Sequence, residues 1–94
     1  MHTIDKEWRV KLPEGLLELS VGKNTQKVVL AQENEKVFQV IPFDTIPDDV
    51  KVITGSMNIT KEGRIFIPSV LRKKFPDAKT VQIYVKAKKL YIEF

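Results

Sequence analysis

Alternation of apolar and polar side chains is the clearest pattern in the last third of the chain. Residues 81–85 and 90–94 each place every second, apolar side chain on one face, as expected for strands with one buried side. The apolar positions are Val81, Ile83, Val85, Leu90, Ile92 and Phe94. Residues 86–89 lie between the two segments, so the sequence predicts a β-hairpin with its turn there.

The first third shows similar patterning. Residues 2–4 and 9–12 are predicted to be short strands joined by a turn over residues 5–8. Pro13 ends the second strand because it has no N–H to donate, and its fixed φ suits the start of a short helix that ends near Gly22. Residues 27–31 and 36–41 are rich in β-branched side chains and predict a second hairpin.

A connector divides the chain. Pro42, Pro47 and the acidic pair Asp48 and Asp49 interrupt regular structure over residues 42–49. Residues 50–53 have the composition of one further strand.

An internal repeat links the two sides of this connector. Shifting residues 3–19 by 55 positions gives six identities in 17 positions, where unrelated segments would give roughly one. The matched pairs are Ile4 and Ile59, Lys6 and Lys61, Glu7 and Glu62, Arg9 and Arg64, Pro13 and Pro68, and Leu16 and Leu71. The two hairpins match at a shift near 53, although the sequence leaves 52 or 53 open for the last strand of the first repeat.

The repeat predicts a single domain over residues 1–94, with repeat one at 2–42, the connector at 43–56 and repeat two at 57–94. Each repeat reads as two strands, a short helix and two more strands. A repeat of about 40 residues is too short to bury its apolar face alone. We therefore expect a mainly β fold with short helices, in which two tandem ββαββ repeats pack together as a pseudo-two-fold β-barrel.

The amino-acid composition excludes several classes of function. The chain has no cysteine, which excludes disulfide scaffolds and thiol chemistry, and no Ser/His/Asp set, phosphate loop or metal-ligand cluster. We expect no enzyme activity, cofactor or metal. With no signal peptide or long apolar run, no membrane association and a cytoplasmic location are expected.

Charge is distributed unevenly. Residues 1–50 hold six Lys or Arg against nine Asp or Glu, whereas residues 51–94 hold ten against three. The second half thus has a net charge of +7, which favours an anionic partner.

Residues 61–68, with Leu71, Arg72 and Lys73, resemble the signature of the AbrB/MazE/MraZ superfamily of swapped-hairpin barrels, D-x-x-G-R-[IV]-x-[IL]-P-x-x-[LIF]-R. Thr60 stands where that family usually has Asp. Two copies in one chain are closer to the MraZ arrangement than to the single copy of AbrB. The resemblance implies a DNA-binding transcriptional regulator, which could assemble as a homo-oligomer.

The resemblance also implies which residues contact duplex DNA. They are Arg64, Arg72 and Lys73, with Arg9 in the first copy, and Lys61, Lys74 and Lys6 as phosphate contacts. The first copy departs from the motif, because Trp8 replaces the turn glycine, and Leu17 and Glu18 replace the helix cations. The second copy is therefore expected to dominate DNA binding.

The sequence is also compatible with other interpretations. Arg64 could instead form a salt bridge with Glu62 or with the first repeat, and the basic helix could be a solvated face. Trp8 could be a core residue or an anchor for a protein partner, and the acidic first half could also bind one. The alternative function is a protein-binding module or antitoxin-like component that keeps the barrel without strong DNA binding.

Overall fold

The structure, a computed structural model, describes residues 1–94 and consists mainly of β-strands with two short helices. The elements in chain order are β1 (His2–Thr3), β2 (Arg9–Lys11), α1 (Glu14–Leu19), β3 (Lys27–Gln32), β4 (Val37–Pro42), a 3-10 turn (Phe43–Thr45), β5 (Lys51–Val52), β6 (Met57–Asn58), β7 (Arg64–Phe66), α2 (Ser69–Lys74), β8 (Thr80–Lys86) and β9 (Lys89–Glu93). All strand pairs are antiparallel. The predicted fold class, mainly β with short helices, is confirmed. Neither helix has the length and apolar character needed to cross a membrane.

The strands form an open seven-stranded sheet and a separate two-stranded ribbon. The sheet runs β1-β8-β9-β4-β3-β5, with β6 also paired to β3, and the ribbon is β2-β7. The predicted closed barrel is therefore wrong. Closure fails because the strands at the two ends of the sheet have only two residues each and do not meet, and because β2 and β7 pair only with each other.

The core lies between the sheet and a layer made of the ribbon and both helices. The sheet contributes side chains from β3, β4, β8 and β9, and the covering layer contributes Val10, Leu12, Leu17, Ile65, Ile67 and Leu71. Alternation along each strand produces this arrangement, since Val81 and Ile83 are buried while Gln82 is exposed. The opposite face of β3 and β4 is covered by Ile46 and Val50 of the connector.

Strands from residues 2–42 pair with strands from residues 57–94 at four places: β1 with β8, β2 with β7, β3 with β6, and β4 with β9. The pairings correspond in register. His2 lies opposite Val81, and Met57 lies opposite Val28. These pairs are equivalent, because His2 corresponds to Met57 at a shift of 55 and Val28 corresponds to Val81 at a shift of 53.

The two hairpins differ by one residue. At a shift of 53, Val29 corresponds to Gln82; Val29 pairs with Ile41 and Gln82 pairs with Glu93. The last strand therefore matches at a shift of 52, which fixes the register that the sequence leaves open. The second turn is correspondingly tighter, because only Ala87 and Lys88 separate β8 from β9, and both have positive φ (52° and 63°).

The strand-to-strand turns of the two repeats share one backbone form. Trp8 and Gly63 occupy equivalent positions and both lie in the left-handed region, at φ 62° and 81°. In each turn the N–H of this residue donates to the carbonyl three positions earlier, Asp5 or Thr60. Gly22 also has a positive φ of 102°, as expected for the residue that closes the first helical segment.

We expect Gly63→Ala to lower the free energy of unfolding by about 1–2 kcal/mol, because alanine at φ 81° is strained. Its Cβ would also lie 3.4 Å from the Leu12 carbonyl oxygen. The control is Gly15→Ala, where nothing lies within 4 Å and helix propensity favours alanine by about 1 kcal/mol. Urea denaturation measures both. A Gly63→Ala variant as stable as the parent would contradict the assignment of this turn.

Candidate nucleic-acid interface

The β2–β7 ribbon has one buried face and one solvent-facing side. Val10 pairs with Ile65 at its centre, and both side chains are buried in the core. Because successive side chains alternate, the neighbouring positions point away from the core. These outward residues are Arg9, Lys11, Arg64 and Phe66. The ribbon therefore carries three cations and one aromatic ring on its outer face.

Arg9 is held in place by acidic neighbours of its own turn. Its Nε–H donates to Asp5 Oδ2 at 2.9 Å, and its Nη2 lies 3.6 Å from Glu7 Oε2. Asp5 Oδ1 also accepts the backbone N–H groups of Glu7 and Arg9, at 2.9 and 2.8 Å. Asp5 thus fixes both the turn and the guanidinium.

Arg64 is less constrained. Thr60 occupies the position equivalent to Asp5, and its Oγ1 accepts only the backbone N–H of Arg64, at 3.0 Å. The guanidinium has one carboxylate neighbour, Glu62, at 3.9 Å between Nη1 and Oε1. The pair of Arg64 and Glu62 that the sequence allows is therefore present, but it is long and partly exposed, and such pairs contribute little to stability.

The hydrogen bonds of the first turn lower the pKa of Asp5. The backbone N–H of Arg9 contributes most to holding the pKa of Asp5 below its usual value of 3.8; the Arg9 side chain and the Glu7 N–H act in the same direction. Desolvation opposes this shift only in part. Because its pKa is lowered, a larger fraction of Asp5 than of a free aspartate is ionised, and able to pair with Arg9, at pH 3.8.

Phe66 is the aromatic member of the outer face. It lies directly opposite Arg9 in the ribbon and is 52% exposed. The Arg9 guanidinium carbon lies 6.0 Å from the centre of its ring, within the range of a cation–π contact. An apolar side chain is thus presented to solvent among cations.

The basic turn and the basic helix of the second repeat lie at opposite ends of the ribbon. Leu12 N–H donates to the Gly63 carbonyl, so the turn over residues 60–63 lies beside the start of α1. At the other end, Ile67 N–H donates to the Trp8 carbonyl, so α2 begins beside the turn over residues 5–8. The two ends are roughly 13 Å apart, since a strand rises about 3.3 Å per residue. Lys61 and Lys6, both exposed, accordingly mark opposite ends.

The cations of α2 differ in their surroundings. Arg72 and Lys73 are exposed and have no carboxylate oxygen within 4.0 Å. Lys74 Nζ instead lies over two aromatic rings, 5.5 Å from the centre of Phe75 and 5.9 Å from that of Phe38. Lys74 is exposed but makes cation–π contacts within the molecule, whereas Arg72 and Lys73 are available to an anion.

An open groove of about 1160 Å³ extends from one end of the ribbon, between α1 and the turn over residues 60–63. Lys11 and Lys61 line it together with Glu14 and Glu62, so its charge is mixed. Nowhere do three or more His, Cys, Asp or Glu side chains come together in a way that could hold a metal ion.

Lys11 and Phe66 are absent from the set of contact residues that the sequence predicts. The signal for Lys11 was present, because the alternation over residues 9–12 puts Lys11 on the same strand face as Arg9. The placement of Phe66 opposite Arg9 depends on the pairing of β2 with β7, which no local pattern specifies. Trp8 is half-buried and packs against the core, one of the two roles considered for it.

Comparison with known proteins assigns neither a family nor a function to the chain. No protein-family model matches the chain, and no curated protein matches it. The ribbon, its two turns and the basic helix are therefore the basis for any functional conclusion.

The pKa of Asp5 predicts a pH-dependent contribution to stability. Below 3.8 and above the lower folded-state pKa, the unfolded state binds more protons, so the free energy of unfolding rises with pH. This contribution is complete above 3.8 and is lost as pH falls through the folded-state pKa. Asp5→Asn should flatten the acid limb of stability against pH, measured by urea denaturation at each pH. Asp48→Asn, at an exposed carboxylate outside any ion pair, is the control. An unchanged acid limb in Asp5→Asn would contradict the assignment.

Proposed function

We propose that the protein is a DNA-binding transcriptional regulator of the AbrB/MraZ type, whose two repeats form a single-chain version of the swapped-hairpin fold. The reciprocal pairing of β1 with β8 and of β6 with β3 supports the fold assignment. One observation carries the function: the outward face of the β2–β7 ribbon presents Arg9, Lys11 and Arg64 around an exposed Phe66.

A two-stranded ribbon suits duplex DNA sterically, because the major groove is about 12 Å wide and admits such an element. A guanidinium can donate two parallel hydrogen bonds to a guanine edge, and lysine neutralises phosphates. Arg64 and Lys11 lie directly opposite each other and would enter the groove together. Lys6 and Lys61, at the two ends, and Arg72 and Lys73, on α2, then serve as phosphate contacts that set the position of the protein.

The two ribbon arginines contribute unequally in this proposal. Arg9 must give up a short bond to Asp5 and its contact with Glu7 before it can bind a base. Arg64 gives up only a 3.9 Å pair with Glu62. Thr60 in place of an aspartate therefore favours DNA contact by the second repeat. Since one ribbon provides few phosphate contacts, we further propose that the protein assembles into a homo-oligomer on DNA.

The second candidate is the protein-binding module or antitoxin-like component. One observation favours it: Leu19 is 65% exposed and Phe43 is 51% exposed, and both lie in the acidic first half. Leu19 follows Glu18 and Phe43 precedes Asp44 in the sequence, and exposed apolar side chains next to carboxylates fit a basic protein surface better than a phosphate backbone.

Arg64→Ala is expected to weaken duplex binding by about 1–3 kcal/mol, and Arg9→Ala by clearly less. Lys51→Ala removes the same charge from a strand at the edge of the sheet and is the matched control. Fluorescence anisotropy titrations at several salt concentrations, with light scattering for the assembled mass, measure these effects. Equal losses at Arg64 and Arg9 would refute the unequal roles. Absence of binding at low salt, or a log–log salt slope near zero, would refute the DNA proposal itself.

Phe66 is expected to pack on thymine methyl groups in the major groove, since an apolar side chain is the usual partner of that methyl. In a duplex selected for tight binding, replacing contacted thymines by uracil removes one methyl each. The parent protein should lose about 0.8 kcal/mol, or roughly fourfold in affinity, per contacted methyl. Phe66→Ala should bind the two duplexes equally. Identical sensitivity of both proteins to the replacement would show that Phe66 does not contact thymine.

A further inference from the structure

One edge of β8 has backbone groups without a strand partner. The strand pairs with β9 from Gln82 to Lys86, but its other edge pairs with β1 only at Thr80 and Val81. On that edge the Lys79 carbonyl accepts the Ile4 N–H at 2.9 Å. Backbone N–H and C=O groups of alternate residues point to the same edge of a strand. Those of Ile83 and Val85 therefore point to the edge that also carries the Lys79 carbonyl. These four backbone groups therefore have no strand partner.

The corresponding edge of β3 is covered, and it shows what such an edge accepts. At a shift of 53, Leu30 corresponds to Ile83 and Gln32 to Val85. Leu30 N–H donates to Thr54 Oγ1 at 3.0 Å, and its carbonyl accepts the Ile53 N–H at 2.9 Å. Gln32 pairs with Lys51 of β5. The occupant is thus an extended antiparallel segment, residues 51–54, with two apolar side chains, Val52 and Ile53.

Charge distinguishes the two edges. The hairpin tip beside the covered edge carries Glu33, Glu35 and Lys36, a net charge of −1, whereas the tip beside β8 carries Lys86, Lys88 and Lys89, a net charge of +3. These lysines are exposed and have no carboxylate oxygen within 4.0 Å. In the antiparallel orientation seen at β3, the N-terminal end of the occupant lies beside the hairpin tip. The β8 edge therefore favours an occupant whose N-terminal residues are acidic.

The same lysines disfavour a second copy of the chain. Pairing β8 of one molecule with β8 of another would bring two basic hairpin tips toward the Lys79 side of the opposite copy, and like charges across a strand pair are destabilising. Lysine on an exposed edge strand is also a common means of preventing self-pairing. An acidic partner reverses the sign of this effect.

We propose that the outer edge of β8 is a docking site for an extended acidic segment of a partner protein, which adds as an antiparallel strand. Its backbone bonds to Ile83 and Val85, and its leading carboxylates lie beside Lys86 and Lys88. Main-chain hydrogen bonds supply affinity in this mode of recognition, and the flanking charges supply selectivity. The proposal does not depend on DNA binding, because the ribbon and the β8 edge are separate elements of the fold.

The probe is a fluorescein-labelled peptide with the sequence of residues 47–54, which carries two aspartates ahead of a stretch rich in β-branched apolar residues. We expect one peptide to bind per chain, with NMR amide shifts and slowed hydrogen exchange at Ile83 and Val85. A control peptide with both aspartates changed to lysine should bind about tenfold more weakly. Lys86→Glu combined with Lys88→Glu should reverse that preference.

Val85→Pro provides a second test, because it removes one outward N–H from an edge position that tolerates proline. Binding should be lost while thermal unfolding still shows a folded protein. Equal affinity for the two peptides, or amide shifts at Leu30 in place of Ile83, would overturn the proposal. So would protection of Ile83 and Val85 that rises with protein concentration without peptide, since that result identifies a second copy as the occupant.

Discussion

The hydrophobic core is complete only when strands from residues 2–42 pair with strands from residues 57–94, and the rest of the structure depends on this constraint. Each half contributes part of the sheet and one strand of the ribbon that covers it. Val10 and Ile65 pair at the centre of the ribbon and are both almost fully buried. Neither half alone can cover such a surface, so folding of the two is coupled. The connector keeps the second set of strands within reach of the first and also supplies Ile46 and Val50 to the opposite face.

The two strand-to-strand turns have the same backbone conformation but differ in how they bind their arginine side chains. Both use a residue in the left-handed region, and both bond the residue at the start of the turn to the arginine four positions later. The side chain at that first position then decides what the arginine can do. Asp5 binds the guanidinium of Arg9, whereas Thr60 caps only the backbone and leaves the Arg64 side chain nearly unrestrained. A single exchange of side chain thus changes an arginine from a structural group into a group available for contact.

Local features of this fold could be predicted from the sequence because their causes are local. Pro13 and Pro68 end strands and precede helices, alternation identifies the core-facing side chains of β8, and Gly22 adopts the expected positive φ. In β9 the alternation identifies Leu90 and Ile92, but Tyr91 on the opposite face is buried as well. Features that depend on pairing between distant segments could not be predicted in this way. They include the open sheet, the position of Phe66 opposite Arg9, and the placement of α2 beside the first turn. The basic turn over residues 60–63 and the basic helix α2 are close in sequence, but they lie at opposite ends of the ribbon because β7 runs along its length between them.

The register of the ribbon has a consequence for how a duplex would be read. Its backbone is nearly two-fold symmetric about the pair of Val10 and Ile65, because Arg9 lies opposite Phe66 and Arg64 lies opposite Lys11. Its side chains are not symmetric, since one outer pair is a cation with an aromatic ring and the other is two cations. A homodimer built from identical halves would impose palindromic contacts. Joining two different halves in one chain removes that restriction, so a single ribbon has a polarity; in the proposed function it would prefer one direction along a target that is not a palindrome.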